Sequence, residues 1–303
     1  NIVATTAIKT QTYPDFDDYV KASVDALMPI IDTVGGIEKI KALGIGAPNG
    51  NYYNGTIEYA ANLVWQGVVP IAKKFEEALG IPVIVTNDAN AAAVGEFTYG
   101  VARGMKNFIM ITLGTGVGSG IYINGQLVLG CDGLAGELGH LTVVPGGRTC
   151  GCGRKGCLET YCSATGVART AREYLDKRDT PSLLRDIKPE DITSFEVYKA
   201  AVAGDELAKE IFEVTGSMLG EACANFALFC SPEAFIFMGG LTKAGDLLMK
   251  PLQKAYDEHV LSVYKGKAKL MLSGLKDSET AVLGASALGW DNPPQPVPFE
   301  SEI

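Results

Sequence analysis

The 303-residue sequence has no apolar run near the roughly twenty residues that a membrane-spanning helix needs, and runs such as 108–113 end far short of it. It also opens without the charged and then apolar segment of an export leader, so we expect a soluble protein. Hydrophobic residues make up 47% and charged residues 20%, which excludes a disordered or low-complexity scaffold. The length predicts two domains or one large domain.

Positive charge is in short supply. The chain contains 26 Lys and Arg against 35 Asp and Glu, a net charge of −9, and no basic patch stands out along it. This balance disfavours a nucleic-acid partner. An anionic ligand would instead have to bind through backbone N–H groups, helix N-termini and Mg²⁺. Glycine-rich turns are therefore the candidate binding elements.

Paired cysteines are also lacking. The total of seven is odd, and four of them are scattered singly, at Cys131, Cys162, Cys223 and Cys230. This spacing argues against a disulfide framework and favours the reducing cytoplasm as the location. The other three cysteines fall within one short glycine-rich segment.

Periodicity predicts strands that alternate with helices, the pattern of an α/β chain. Strands are predicted at residues 1–10, 41–46, 81–86, 108–113, 234–238 and 268–272. Helices are predicted at residues 19–31, 68–79, 250–260 and 280–288, and along the apolar face of Leu207, Ile211, Val214, Met218, Ala222 and Phe226. Asn124 and Gly125 predict a two-residue hairpin turn, so a second sheet is expected to start near that turn.

The strongest chemical signal is the set of His140, Cys150, Cys152 and Cys157. Three thiolates and one imidazole form a complete tetrahedral ligand set for Zn²⁺ with no open position, which predicts a structural zinc site. The glycines between the cysteines allow the backbone to turn tightly around an ion. The alternative is a flexible glycine loop whose thiols are incidental or oxidised.

Two carboxylates flank these ligands. Glu137 lies three residues before His140, so the two side chains share a face if the turn is helical, and Glu159 follows Cys157 by two residues. A metal in the loop would fix both carboxylates, which could then accept hydrogen bonds from the hydroxyls of a polyol. Taken alone, each Glu is more often a solvated surface charge.

Asp88 follows a predicted buried strand and precedes an alanine-rich helix. The carboxyl end of such a strand is where α/β proteins place their sites, so Asp88 could be a general base that takes a proton from an attacking hydroxyl. Aspartate is also a favoured helix N-cap. The local sequence leaves both interpretations open.

Two glycine-rich turns could approach phosphate oxygens. Residues 112–120 form a strand, a turn and the next strand, and residues 238–241 lie between a strand and a helix. The first turn is neither a P-loop nor a dinucleotide fingerprint, because no Gly-Lys-Ser/Thr ends it and a strand follows it. The signal is weak, and a plain turn remains the alternative for the second segment.

In this order the segments resemble the ROK family, which comprises bacterial sugar kinases, sugar-responsive repressors and related proteins. The match runs over residues 40–289, and its most specific element is the loop that ends in Gly156-Cys157-Leu158-Glu159. The resemblance implies an α/β, two-lobed actin-like ATPase (ribonuclease H-like) fold with the active site in the cleft between the lobes. We expect the lobes at residues 1–103 and 104–278, with a final helix at about 279–290 that packs back on the first.

The resemblance implies ATP-dependent phosphorylation of a hexose at its C6 hydroxyl, with Mg²⁺ accompanying ATP and a structural Zn²⁺. Asp88 is similar to the catalytic base of the family. The implied sugar contacts are Asn87, Glu137, His140 and Glu159, with weaker signals at Gly50, Asn51 and Asn62. The implied phosphate loop contains Thr112, Gly114, Thr115, Gly116 and Gly118, and the implied adenosine contact is Gly239 with Gly240. A homodimer is also implied.

One departure concerns the segment Asp-x-Gly-Gly-Thr with which family members open, because it does not occur in this sequence. The chain begins with what resembles the third strand of the first sheet. We expect that about twenty N-terminal residues are omitted, enough for two short strands and a turn. The alternative is a protein that cannot bind ATP normally.

The choice of substrate is the least specific expectation. Glucose is the commonest implication, but kinases for N-acetylmannosamine, N-acetylglucosamine, fructose, mannose or allose share nearly all of these residues. A sugar-responsive repressor is the alternative of another class. Such a protein would resemble this chain after an added helix-turn-helix segment, and the charge of −9 disfavours it.

Overall fold

The computed structural model describes residues 2–60 and 63–290. These residues form two compact units: unit 1 is drawn from residues 1–104, 127–135 and 274–303, and unit 2 consists of residues 105–126 and 136–273. The expected lobe boundaries differ from these units mainly at residues 127–135. That segment joins unit 1 because Asn51 Nδ2 donates to the carbonyl of Asp132 at 2.7 Å and Tyr53 OH donates to that of Gly130 at 3.1 Å.

The strands and helices follow one another in the α/β order that the sequence predicts. The strands are β1 (Leu43–Ala47), β2 (Gly50–Asn51), β3 (Thr56–Glu58), β4 (Val68–Val69), β5 (Val83–Asn87), β6 (Phe108–Leu113), β7 (Val117–Ile123), β8 (Gln126–Leu127), β9 (Ala234–Met238) and β10 (Lys269–Leu272). The α-helices are α1 (Phe16–Thr33), α2 (Ile71–Leu79), α3 (Asp88–Tyr99), α4 (Glu159–Cys162), α5 (Ala164–Lys177), α6 (Ser194–Val202), α7 (Glu206–Cys230), α8 (Asp246–His259) and α9 (Asp277–Leu288).

Unit 1 is built around the parallel pair β1 and β5, with the antiparallel strands β2, β3 and β4 beside it. Helix α3 leaves directly from the end of β5 and packs against α9 through residues without bulky side chains. A methyl group on Gly284 would overlap the Ala91 carbonyl oxygen, and one on Gly44 would overlap that of Ala285. These close backbone contacts fix the start of α3 relative to the strands.

Unit 2 contains a five-stranded sheet in the order β10-β9-β6-β7-β8. Strands β6, β9 and β10 are parallel, and β7 pairs antiparallel with β6. The long helix α7 packs on α8 at Gly216 and Gly220, where an added methyl group would overlap the backbone of α8. Fully buried aromatic rings fill the core, including Phe212, Phe235 and Phe237.

Several local predictions are confirmed. Strands β6 and β9 have the predicted bounds, α7 contains the predicted apolar face, and Gly80 ends α2 in the left-handed conformation with φ 70°. The hairpin turn is also confirmed, since Asn124 and Gly125 have φ of 54° and 77°. No helix within residues 2–60 and 63–290 has both the length and the hydropathy needed to cross a membrane.

The strand predicted at residues 1–10 is wrong for the residues that the structure describes. Residues 2–9 have no regular secondary structure, and Thr10–Thr12 is a short 3₁₀ helix. Alternating side chains alone do not make a strand, because each backbone N–H and C=O group also needs a neighbouring strand as its partner. In unit 1, β1 pairs with β5 and not with this segment.

Candidate active site

In unit 1 the junction of β5 and α3 positions Asp88. Asn87 is the N-cap of α3, and its Oδ1 accepts a 2.8 Å hydrogen bond from the Ala89 N–H. Asp88 is the first residue of the helix, and its Oδ1 accepts from the same N–H at 2.8 Å. The N-cap position that the sequence left open for Asp88 is therefore occupied by Asn87, and Asp88 is the first helical residue.

Burial raises the pKa of the Asp88 carboxyl above its ordinary value of 3.8, although the hydrogen bond from Ala89 opposes the shift. The residue as a whole is nonetheless exposed, so the surrounding protein desolvates the carboxyl without covering Asp88 completely. A carboxylate whose pKa is raised holds a proton more tightly than free aspartate does. This property suits a general base.

Gly50 and Asn51 lie beside β5 and are buried. A methyl group on Gly50 would overlap the Thr86 carbonyl. Asn51 Nδ2 donates to Glu58 Oε1 and to the Asp132 carbonyl, while its Oδ1 accepts from the backbone N–H groups of Tyr53 and Asn54. Both amide hydrogens and the amide oxygen of Asn51 thus have protein partners. The other predicted contact in this region, Asn62, lies outside the described residues.

In unit 2 the predicted metal ligands converge. One ligand atom from each of His140, Cys150, Cys152 and Cys157 lies within 4.8 Å of the others. Cys152 Sγ is 3.7 Å from Cys157 Sγ, and Cys150 Sγ is 3.6 Å from His140 Nδ1. A tetrahedral Zn²⁺ with ordinary bond lengths separates two sulfurs by about 3.8 Å and a sulfur from a nitrogen by about 3.6 Å. The donor set and its spacing therefore fit this ion.

Two of the three thiols hold their protons more tightly than free cysteine. Burial raises the pKa of Cys150 to about 12 and also raises that of Cys157. Burial acts in the same direction on the third thiol, Cys152, but its hydrogen bonds with the Arg154 N–H and the other two thiols, and the charge of Arg154, outweigh burial and lower its pKa. A bound metal would displace the protons and stabilise the thiolates. The cluster is therefore expected to bind metal with release of protons.

Glu137 and His140 lie at the two ends of a single turn, because Leu138–His140 is a 3₁₀ helix that begins after Glu137. Glu137 Oε2 is 3.9 Å from His140 Nε2, while Nδ1 of the same ring faces Cys150. The turn is helical, so the condition under which the two side chains were expected to share a face is met. The two imidazole nitrogens thus face different partners, one at the cluster and one beside a carboxylate.

Glu159 is the first residue of α4 and touches two of the predicted elements. Its Oε2 accepts a 3.0 Å hydrogen bond from the Val117 N–H in the glycine-rich turn, and its Oε1 is 3.6 Å from Cys150 Sγ. A methyl group on Gly116 would overlap Oε2 of Glu159. The Cys/His cluster and the turn are therefore joined through the Glu159 carboxylate, a link that the sequence did not predict.

The glycine-rich turn between β6 and β7 holds its shape through its own bonds. Thr112 Oγ1 accepts from the Gly118 N–H at 3.2 Å, and Gly114 N donates to the Gly116 carbonyl at 3.1 Å. The Thr115 carbonyl accepts from Thr165 Oγ1 at 2.8 Å. Gly114 and Thr115 are exposed at the tip of the turn, where a ligand can approach the backbone.

A cavity of about 460 Å³ in unit 2 brings part of this turn together with the second glycine segment. Its lining residues are Leu113, Gly114, Thr115, Ala164, Ser194, Phe195, Tyr198, Phe212, Gly240, Leu241, Lys243 and Ala244. Gly239 is instead packed on the end of β6 with φ 112°, where a side chain would overlap the Leu113 carbonyl. Sequence reasoning missed Phe195 and Tyr198. Their only signal was an aromatic pair one turn apart near the start of a helix.

Three comparisons with known proteins point to the same family. The model of the ROK family matches residues 5–291. The glucokinase of Halalkalibacterium halodurans is 41% identical over 251 residues, 82% of this chain and 74% of that protein. The glucokinase of Streptomyces coelicolor is 37% identical over 261 residues, 84% of this chain and 80% of that protein.

A solved structure gives the same result for the fold. The crystal structure of a ROK family glucokinase from Streptomyces griseus, in complex with glucose and AMPPNP, matches with a TM-score of 0.77 and 34% identity. The match covers 91% of this chain and 89% of that chain. The α/β fold of the actin-like ATPase kind, which the sequence resemblance implied, is thereby confirmed.

Proposed function

The chain belongs to the ROK family, and we propose that it is an ATP-dependent kinase that phosphorylates glucose on its C6 hydroxyl. Two glucokinases at 41% and 37% identity, together with the glucose and AMPPNP complex at 34%, support these substrates. The structural observation that carries the proposal is Asp88. This residue follows the end of a parallel strand, burial raises the pKa of its carboxyl, and the N-cap position of its helix is occupied by Asn87.

In the proposed reaction the Asp88 carboxylate accepts the proton of the C6 hydroxyl. The sugar oxygen then forms a bond to the γ-phosphorus of ATP as the bond from that phosphorus to the β,γ-bridging oxygen breaks, and ADP leaves with the electron pair. Phosphoryl transfer depends mainly on positioning and charge stabilisation. The base contributes about 10²–10⁴-fold in rate, the usual size of general base catalysis.

The sugar hydroxyls are assigned to Asn87, Glu137, His140 and Glu159. Support in unit 2 comes from His140, whose Nε2 faces away from the thiols, and from Glu159, whose carboxylate is fixed by the Val117 N–H. Cys150, Cys152, Cys157 and Nδ1 of His140 would hold Zn²⁺, which supplies a structural cross-link and takes no part in bond making. The residues of the loop then keep the two carboxylates in place.

The nucleotide is assigned to unit 2. The exposed backbone of Gly114 and Thr115 is available to phosphate oxygens, and the cavity beside it is lined by Gly240 and by the aromatic rings of Phe195 and Tyr198, which suit a purine. Thr112, Gly116 and Gly118 shape the turn from within. ATP is used as its Mg²⁺ complex, so Mg²⁺ is the proposed second metal.

Three further expectations concern Gly50 with Asn51, Asn62 and the homodimer, and each becomes a separate proposal. Asn51 and Gly50 are proposed to support β5 and the segment 127–135, since both are buried and the amide of Asn51 already has protein partners. Asn62 remains a proposed sugar contact on the resemblance alone. The homodimer is likewise a proposal from the resemblance, and light scattering of the purified protein tests it.

The function is tested by a coupled assay of ADP release with Mg·ATP and a panel of hexoses. We expect glucose to give the highest kcat/KM and NMR of the product to show a phosphate on C6. A higher kcat/KM for N-acetylmannosamine, N-acetylglucosamine, fructose, mannose or allose would replace glucose as the substrate and keep the kinase. Absence of ADP release with every hexose, from a folded full-length protein, would contradict the kinase itself.

A further inference from the structure

Arg148 lies two residues before the first cysteine of the metal loop, and its side chain is only 7% exposed. Lysine and arginine are seldom buried unless they are paired. The Arg148 guanidinium is paired with Glu173 of helix α5 at 2.8 Å, and the proposed reaction gives it no role. A buried charge beside the metal loop therefore requires another explanation.

The guanidinium contacts two successive helices. Nη1 donates to the Thr160 carbonyl of α4 at 2.7 Å, and Nη2 donates to Thr170 Oγ1 at 2.9 Å and to Glu173 Oε2 at 2.8 Å in α5. A longer bond of 3.4 Å reaches the Gly166 carbonyl. One planar group thus bonds α4 and α5 at once, which the fork geometry of arginine permits.

The backbone of Arg148 makes a second set of contacts with the same region. Its N–H donates to Tyr161 OH at 3.0 Å, and its carbonyl accepts from the Gly156 N–H at 2.8 Å. The guanidinium carbon lies 4.4 Å from the centre of the Tyr161 ring. Both ends of this residue therefore fix the metal loop to α4.

Helix α4 needs such support because it has only four residues, from Glu159 to Cys162. A helix this short does not form on its own, since nucleation costs more than so few hydrogen bonds return. A cation at its last carbonyls is favourable, both as a cap and toward the helix dipole. The direction in which Glu159 points thus depends on contacts that hold α4.

We propose that Arg148 is a positioning residue for the sugar site, which bonds the Thr160 carbonyl to Glu173 and thereby fixes the helix that carries Glu159. The inference rests on the proposed function for its effect on sugar binding. It acts through geometry, because Arg148 is bonded to the backbone of α4 and not to Glu159 itself.

The test compares three variants. Arg148→Met removes the guanidinium and keeps the length, and Arg148→Lys keeps the charge but loses the fork. Arg169→Met is the matched control. Arg169 also pairs with Glu173, at 2.9 Å and one turn away within α5, but it is 42% exposed, and its other bond, at 3.4 Å, goes to the Thr149 carbonyl and not to α4. The measurements are glucose KM and kcat, and hydrogen exchange of the backbone amides of residues 157–162.

We expect Arg148→Met to raise the glucose KM about tenfold, the size expected for a lost charge-assisted bond, with a smaller change in kcat. Exchange at residues 157–162 should become faster in the same variant. Arg148→Lys should recover part of both effects, because one ammonium can still reach the Thr160 carbonyl or Glu173. Arg169→Met should stay within about twofold of the parent protein.

Two results would overturn the inference. One is a parental glucose KM and parental exchange in Arg148→Met, and the other is an equal loss in Arg169→Met, which would assign the effect to Glu173 pairing alone. If Arg148→Met does not fold, Arg148→Lys against Arg169→Met makes the same comparison. Hydrogen exchange does not depend on catalysis. If the parent protein has no kinase activity but Arg148→Met still exchanges faster at residues 157–162, the positioning role of Arg148 is supported and only the proposed kinase is contradicted.

Discussion

Asp88 and Glu159 occupy the same kind of place, the first residue of a helix, but the protein supports them in different ways. Asp88 begins a helix of 12 residues that leaves a parallel strand and is buried continuously from Ala89 to Glu96. Glu159 begins a helix of four residues that is held by side chains of the adjoining loop. The position of Asp88 is fixed by regular secondary structure, and that of Glu159 by hydrogen bonds to side chains and backbone groups outside its helix.

This difference shows which changes each position tolerates. Around Asp88 the contacts are between backbones, at Gly284 against Ala91 and Gly44 against Ala285, so added atoms are harmful and lost polar groups matter little. Around Glu159 the contacts are polar, through Cys150 Sγ and the Val117 N–H, and Arg148 bonds the neighbouring Thr160 carbonyl. In that region, lost ligands and lost charges should be the harmful changes.

The largest expected effect is chemical and belongs to the first position. Asp88→Asn should lower kcat by about 10²–10⁴-fold, because the amide cannot accept the C6 proton. Folding should be nearly unchanged, since Asn87 caps the helix. The coupled assay measures kcat, and the shift of melting temperature with glucose measures retained binding. A kcat close to that of the parent protein would remove Asp88 from the chemistry.

The second prediction breaks the cross-links. Cys152→Ser should lower zinc content and raise the glucose KM by about 10–100-fold, while the melting temperature falls, because metal binding and folding of the loop are coupled. Metal analysis, KM and calorimetry measure the three effects. Cys131→Ser is the control, because Cys131 is exposed and lies outside the cluster. A folded parent protein without zinc would contradict the metal assignment.

The sequence was sufficient to predict the ligand set of the Cys/His cluster but not the cap of helix α3, and the reason is physical. The ligands of the cluster lie in one short segment with a chemistry that few other residue types share, so His140 and the three cysteines could be assigned together. The cap could not be assigned, because Asn87 and Asp88 are adjacent and both residue types cap helices. Both side chains accept from the Ala89 N–H, and only the backbone distinguishes them, because Asn87 is extended at the N-cap and Asp88 is the first helical residue.

The contacts that hold Glu159 and its helix could not be predicted from the sequence, because the residues that form them are far apart along the chain. Arg148 bonds Thr170 and Glu173, which lie 22 and 25 residues further along the chain, and no spacing rule connects these residues. The cavity beside Gly114 is similar, since Phe195 reaches it from a distant helix. The mistaken strand at residues 1–10 had a suitable pattern but lacked a paired neighbour.

The third prediction reverses the roles of the two regions. Gly284→Ala should lower the stability of unit 1 by about 1–3 kcal/mol, since the methyl group overlaps the Ala91 carbonyl in a packed interface. It should also lower kcat through the displaced helix, while zinc content stays unchanged. Ser286→Ala, at an exposed position of the same helix, is the control. Loss of zinc in Gly284→Ala would show that the regions are not independent.

The smallest expected effect is in the dependence of kcat/KM on pH. The pKa of a carboxyl group is raised in the first region, at Asp88, and lowered in the second, at Glu173. Burial raises the pKa of Asp88, so kcat/KM should fall with decreasing pH at a midpoint above 3.8. Burial acts in the same direction on Glu173, but the hydrogen bonds and charges of Arg148 and then Arg169 outweigh it and hold the pKa of Glu173 below 4.5.

The sign of each shift separates the two carboxylates. A lowered pKa gives stability that is present above 4.5 and is lost only as pH falls through the lower value of the folded protein, so Glu173 keeps its pairing with Arg148 while Asp88 takes up its proton. The acid limb of kcat/KM should therefore be the same in Arg148→Met as in the parent protein, although the glucose KM is higher. If the midpoint of the acid limb shifts in Arg148→Met, the pairing of Arg148 with Glu173, and not the protonation of Asp88, sets the pH dependence of kcat/KM.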